Sequence, residues 1–176
     1  MAYCLLDAAR MDEAMEQAKD LAGENNSRCL YAGSAEQTLS HVAPYLFMLQ
    51  KPDFVDWVFT EGWGHSWGVY LITEAAPEAL FSHLKRFLYV RSPDGTALYF
   101  RFYDPRALRL FLPTCDMDQL TAFFGPVRYV ITEDEDTDYA INFSLHQGQL
   151  QQERVSRADV QTYLKQYLQT RYPSAW

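Results

Sequence analysis

The chain has 176 residues, 48% hydrophobic and 15% aromatic, with 12 Tyr and 11 Phe, which excludes a disordered chain and suits one domain with a substantial core. Its 23 Asp and Glu outnumber its 15 Lys and Arg, for a net charge of −8; this excludes non-specific nucleic-acid binding, which needs a basic stripe. Cys4, Cys29 and Cys115 are odd in number, far apart and without a C-x-x-C pair, so reduced thiols are expected. With no basic and apolar leader after Met1 and no apolar run of roughly 18 residues, the sequence points to a cytoplasmic protein without membrane insertion.

In chain order, Tyr3 to Ala8 predicts a strand and Asp12 to Ala22 a helix, apolar at Met11, Ala14, Met15, Ala18 and Leu21 and stopped by Gly23. Arg28 to Tyr31 predicts a second strand. Ser34 and Gln37 have capping-box spacing for a helix continued by Leu39, Val42, Ala43 and Leu46, with Pro44 kinking or ending it. Pro52 opens a short helix carrying Phe54, Trp57 and Val58. Glu61 to Ser66 is a loop, and Trp67 to Thr73 a third strand.

Pro77 starts a long helix with an apolar stripe at Leu80, Phe81, Leu84, Phe87 and Leu88, placing His83, Lys85 and Arg86 on its polar side. Ser92-Pro93-Asp94-Gly95 is a turn into a strand from Leu98 to Tyr103. Along that strand Leu98, Phe100 and Phe102 alternate with Tyr99, Arg101 and Tyr103. Asp104 then caps a helix that begins at Pro105. Arg101 and Arg106 flank this aspartate, so a local ion-pair network is expected. Met117 to Phe124 is a further helix.

Val127 to Thr132 and Tyr139 to Leu145 are two strands, joined by the acidic run Glu133 to Asp138. The last segment is the cleanest amphipathic helix: Ser156 and Asp159 have capping-box spacing, and Val160, Tyr163, Leu164, Tyr167 and Leu168 recur at helical intervals. The fold class expected is α/β, a single layered domain with a mixed β-sheet, helices packed on it and a C-terminal amphipathic helix.

Chemistry is sparse. There is no H-x-x-x-H, no H-E-x-x-H, no paired cysteines and no phosphate-cradling glycine loop before a helix, so no catalytic residue, metal site or cofactor is assigned. His65, between Trp63 and Trp67 in a glycine-bearing loop, suits a binding loop as well as an aromatic-packed one. A hydrolase or transferase using His65 or His83 is the enzyme alternative. The C-terminal helix is the other candidate for docking a partner.

The string Phe100-Arg101-Phe102-Tyr103-Asp104-Pro105-Arg106, preceded by His83-Leu84-Lys85-Arg86-Phe87-Leu88 and Asp94-Gly95, resembles the bacterial family called domain of unknown function 4123. Cys29-Leu30-Tyr31-Ala32-Gly33, Ala43-Pro44-Tyr45-Leu46 and Phe124-Gly125-Pro126 are similar to other stations of that family. Lys85 stands where the family more often has arginine. The resemblance implies a type VI secretion adaptor, or effector chaperone, that binds a toxic effector in the cytosol and helps load it onto the VgrG spike. It implies no enzymatic activity, cofactor or small-molecule substrate. It also implies an adaptor domain over residues 1–129 and a strand and helix extension over 130–176, packed on the same domain and involved in cargo selection. On this reading Arg101, Tyr103, Asp104, Pro105, Arg106, His83 and Arg86 are structural, and Trp63, His65, Trp67, Val160, Tyr163, Leu164, Tyr167 and Leu168 are candidates for partner binding. The alternative within the same machinery is an immunity or structural subunit.

Overall fold

A strand buried on both faces reads as an unbroken apolar run, and β1 (Ala2–Asp7) is such a strand, with every residue buried. Ala2, Cys4 and Leu6 face one hydrophobic core, while Tyr3 and Leu5 face another. A computed structural model describes residues 1–31, 38–91 and 94–175. The remaining strands are β2 (Ser27–Cys29), β3 (Pro44–Met48), β4 (Gly68–Thr73), β5 (Tyr89–Arg91), β6 (Ala97–Tyr99), β7 (Val127–Glu133), β8 (Tyr139–His146) and β9 (Gln149–Ser156). Among the described residues, seven of these nine strands form one sheet in the order β2-β3-β1-β4-β7-β8-β9, and β5 pairs with β6 in a separate ribbon.

Among the described residues the α-helices are α1 (Ala8–Met11), α2 (Ala14–Ala22), α3 (Pro52–Trp57), α4 (Pro77–Lys85), α5 (Pro105–Phe111), α6 (Met117–Phe124) and α7 (Arg157–Arg171). Residues of α2, α3 and α7 fill the core on one face of the large sheet; those of α4, α5 and α6 fill the core on the other. The layered α/β domain expected from the sequence is therefore present. Its direction pattern is simpler than a mixed sheet, being antiparallel at all six pairings. The division after residue 129 falls inside β7, which pairs with both β4 and β8, so the C-terminal strands continue the same sheet.

Several local expectations hold. Asp104 accepts from the Arg106 N–H at 3.0 Å and opens α5 with Pro105 in its first turn. The Ser156 hydroxyl accepts from the Asp159 N–H at 3.1 Å and opens α7. An unforeseen capping box, Asp116 with Gln119, starts α6.

Others are corrected. The helix drawn through Leu46 ends before Pro44, and Pro44–Met48 is a strand pairing with β1 and β2. Proline has no N–H for a helix or ladder and sits here at a strand start. The Ser34 and Gln37 capping box and the Ser92-Pro93 part of the turn lie outside the described residues. The strand drawn from Leu98 to Tyr103 stops at Tyr99, and the Asp104 N–H closes a turn on the Arg101 carbonyl at 3.0 Å. Phe102 and Tyr103 are consequently both buried instead of alternating. β5 and β9 were missed altogether. β9, Gln149-Leu150-Gln151-Gln152-Glu153-Arg154-Val155-Ser156, is polar and mostly exposed because it is the sheet's outer strand. Only its two-residue link Gln147-Gly148, both with positive φ, betrays a hairpin.

Candidate functional site

His83, expected on a polar face, is buried. Its Nε2 lies 2.8 Å from the Phe123 carbonyl and its Nδ1 2.7 Å from an Arg86 guanidinium nitrogen, while Phe87 meets the ring edge-on. A carbonyl can only accept and a guanidinium can only donate, so the ring is neutral with its proton on Nε2. Burial, with the Arg86 charge beside it, holds its pKa below the ordinary value against the opposing pull of the Phe123 bond. Gly125, at φ +45°, leaves no room for a Cβ, which would overlap this ring. With both nitrogens engaged, His83 is a tie between α4 and α6.

The motif from Tyr99 to Arg106 splits into two ion pairs. Arg106 grips Asp104 with two bonds, Nε at 3.0 Å and a terminal nitrogen at 2.6 Å. Burial pulls the Asp104 pKa up, but these bonds outweigh it and leave the carboxyl below its ordinary range. Arg101 does not join them. It reaches across 94 positions to Asp7, at the end of β1. Asp7 is wholly buried and also caps α1 by accepting from the Ala9 N–H at 3.1 Å; burial raises its pKa despite the arginine. Beside them runs a chain of hydroxyls, Tyr31 to Tyr99 at 2.5 Å and Tyr99 to Tyr103 at 3.0 Å. These contacts fasten the β5–β6 ribbon and the turn after it onto the sheet.

The ribbon itself is open. Tyr89 and Tyr99 pair across one face and Val90 and Leu98 across the other; their exposures run from 37% for Val90 to 62% for Tyr89. A two-stranded ribbon with both faces apolar and wet is the kind of surface a protein partner covers. The stretch from Lys85 to Arg109, ribbon included, holds six of the 15 Lys and Arg and two of the 23 Asp and Glu, with Arg101 and Arg106 already paired to Asp7 and Asp104.

The candidates for partner binding divide. Trp63 is 5% exposed, stacked with Phe59 and Tyr70, and its indole N–H donates to the Thr137 carbonyl at 2.8 Å. Val160, Leu164 and Leu168 are buried under α7, in the core it shares with β4 and β7. Trp63, Leu164 and Leu168 cannot meet a partner without unfolding, while Val160 shows only an edge, to a cleft beside α7. Trp67 is half-buried against Trp57, and His65 is exposed, its ring 6.0 Å from Trp67 and its carbonyl accepting from Arg10. On α7, Tyr163 is exposed and stacks on the partly buried Tyr167.

Beside Tyr163 a cleft of about 300 Å³ opens between α7 and the sheet, lined by Ile72, Tyr129, Ile131, Asn142, Glu153, Val155, Asp159 and Val160. Sequence reasoning missed it, because it needs β9 to supply one wall. A second cleft, about 420 Å³, lies at the C-terminal end of β7 and includes Ser66, Arg106, Arg109 and Glu133. Glu133 is buried, accepts from the Ser66 N–H at 3.0 Å, and has its pKa raised by burial.

Among the described residues no group of His, Cys, Asp and Glu is arranged to hold a metal ion, and no helix is long and apolar enough to cross a membrane. Comparison with known proteins gives one finding. The model of the family described as domain of unknown function (DUF4123) matches residues 2–122, more than half of the chain. No curated protein matches, and no solved structure does.

Proposed function

The chain belongs to the domain of unknown function 4123 family, and on that premise we propose that it is a non-catalytic adaptor of type VI secretion, holding a toxic effector in the cytosol and helping to load it onto the VgrG spike. The family is associated with effector adaptors of that system, and the match across residues 2–122 is the observation that carries the proposal. The surface supports it in kind: the exposed aromatic and aliphatic ribbon is chemically a docking face. The neutral, doubly engaged His83 gives no support to a hydrolase or transferase built on it.

The test is genetic. Deleting the gene is expected to abolish secretion of one effector while the apparatus still fires the others. Self-poisoning of the deletion strain would indicate an immunity protein, and loss of all firing a structural subunit; either result removes the adaptor proposal.

A further inference from the structure

The cleft under α7 contains acceptors that, among the described residues, meet no cation. Ile131, Asn142 and Glu153 are directly opposite one another across β7, β8 and β9, so their side chains form one row on the face that α7 covers. The Asn142 Oδ1 is buried and has no hydrogen-bond partner among the described residues. Glu153 and Asp159 make no ion pair among those residues; Asp159 meets only the hydroxyl and N-terminal cap of Ser156. The nearby cations are engaged elsewhere. Arg154 leaves the cleft to bind Asp134 and Asp136 over the Tyr139 ring, and Arg128 pairs with Glu74. The remaining walls are apolar or aromatic: Ile72, Val155, Val160 and the rings of Tyr129 and Tyr163.

We infer that this cleft is a binding site for an arginine side chain carried on an extended segment of a partner protein. An arginine has an apolar stem for the aliphatic walls and a flat cationic head. Its five donors in a fixed fork suit one amide oxygen and two carboxylates better than a point-like ammonium does, and tyrosine faces attract it further. Tyr163 also borders a second cavity, of about 400 Å³, lined by Gln166, Tyr167, Thr170 and Arg171, so a chain whose arginine enters the cleft has room to lie along α7 beside it. That the occupant is a protein segment rests on the adaptor reading; its cationic chemistry does not.

The experiment titrates the isotope-labelled full chain with the capped tripeptide acetyl-Leu-Arg-Leu-amide and with its citrulline counterpart, which keeps the shape but loses the charge. Saturable NMR shifts are expected at Tyr129, Ile131, Asn142, Glu153 and Tyr163, with citrulline binding about tenfold more weakly. Glu153 is exposed, so Glu153→Gln leaves the fold intact and should weaken the arginine peptide about tenfold as well. The inference is overturned if no shift occurs at these residues, if citrulline binds equally well, or if Glu153→Gln binds undiminished. Peptide binding by a chain that engages no effector would keep the cleft and remove the adaptor proposal, and the reverse would remove the cleft alone.

Discussion

The cluster at the end of β1 and the cleft beneath α7 both set acidic side chains beside tyrosines, and they differ in what those polar groups meet. In the first, Asp7 and Asp104 each have a guanidinium and a backbone N–H, and the tyrosine hydroxyls are chained together. In the second, among the described residues the Asn142 oxygen is buried without a partner and the exposed Glu153 carboxylate is in no ion pair. A buried polar group left unpaired costs about 1–3 kcal/mol. In the cleft that cost falls on the Asn142 oxygen alone, since Glu153 is exposed to water, and a donor entering there would relieve it. The molecule thus separates the fastening of its ribbon from a surface left ready for a ligand.

The largest test of this contrast is Asp7→Ala, which removes the α1 cap and leaves Arg101 unpaired. Because Arg101 is partly exposed and can turn to water, we expect a loss of about 2–3 kcal/mol, which thermal unfolding would register as a fall of roughly 5–10 °C. An unchanged midpoint would show that the cluster fastens nothing. Asp104→Ala should cost about 1–2 kcal/mol, since its arginine is half-exposed while the cap is lost.

Asn142→Leu should act in the opposite sense. Replacing an orphan acceptor by an apolar group of similar size is expected to stabilise by about 1 kcal/mol in urea unfolding; destabilisation would mean that the amide is satisfied in solution and the contrast false. The last test concerns His83. Its folded pKa lies below its unfolded value of 6.5, so its neutral form stabilises the fold above pH 6.5. That contribution is lost as pH falls from there toward the folded pKa, by at most about 1.4 kcal/mol per pH unit. Urea unfolding at pH 7.5 and 5.5 should therefore show a larger acid loss for the wild type than for His83→Gln, and equal losses would put the titration elsewhere.

How far each feature could be read from sequence follows from the distance over which its cause acts. Asp104-Pro105 and Ser156-x-x-Asp159 announce helix starts, because a cap and its N–H lie within three residues. The strands β1, β4, β7 and β8 were legible as apolar runs, being buried by whatever lay on either side. The Asp7 partner of Arg101 was not, since nothing local ties two positions 94 apart. His83 looked exposed beside Lys85 and Arg86, and only the arrival of α6 buries it. Pro44–Met48 carries apolar spacing compatible with a helix and is a strand because β1 and β2 flank it. The cleft was least visible: Gln151, Gln152 and Glu153 give no strand signal of their own, and an outer strand has little apolar pattern to display.

The most direct measurement of the central claim is co-purification of the tagged chain with the effector and spike proteins encoded beside its gene, with light scattering to weigh the complex. A stable complex with one effector is predicted, weakened by the ribbon variant Tyr89→Ser with Leu98→Ser and keeping its effector partner in Asp104→Ala once refolded. A chain that binds neither protein, and whose absence leaves the effector soluble and secreted, would contradict it.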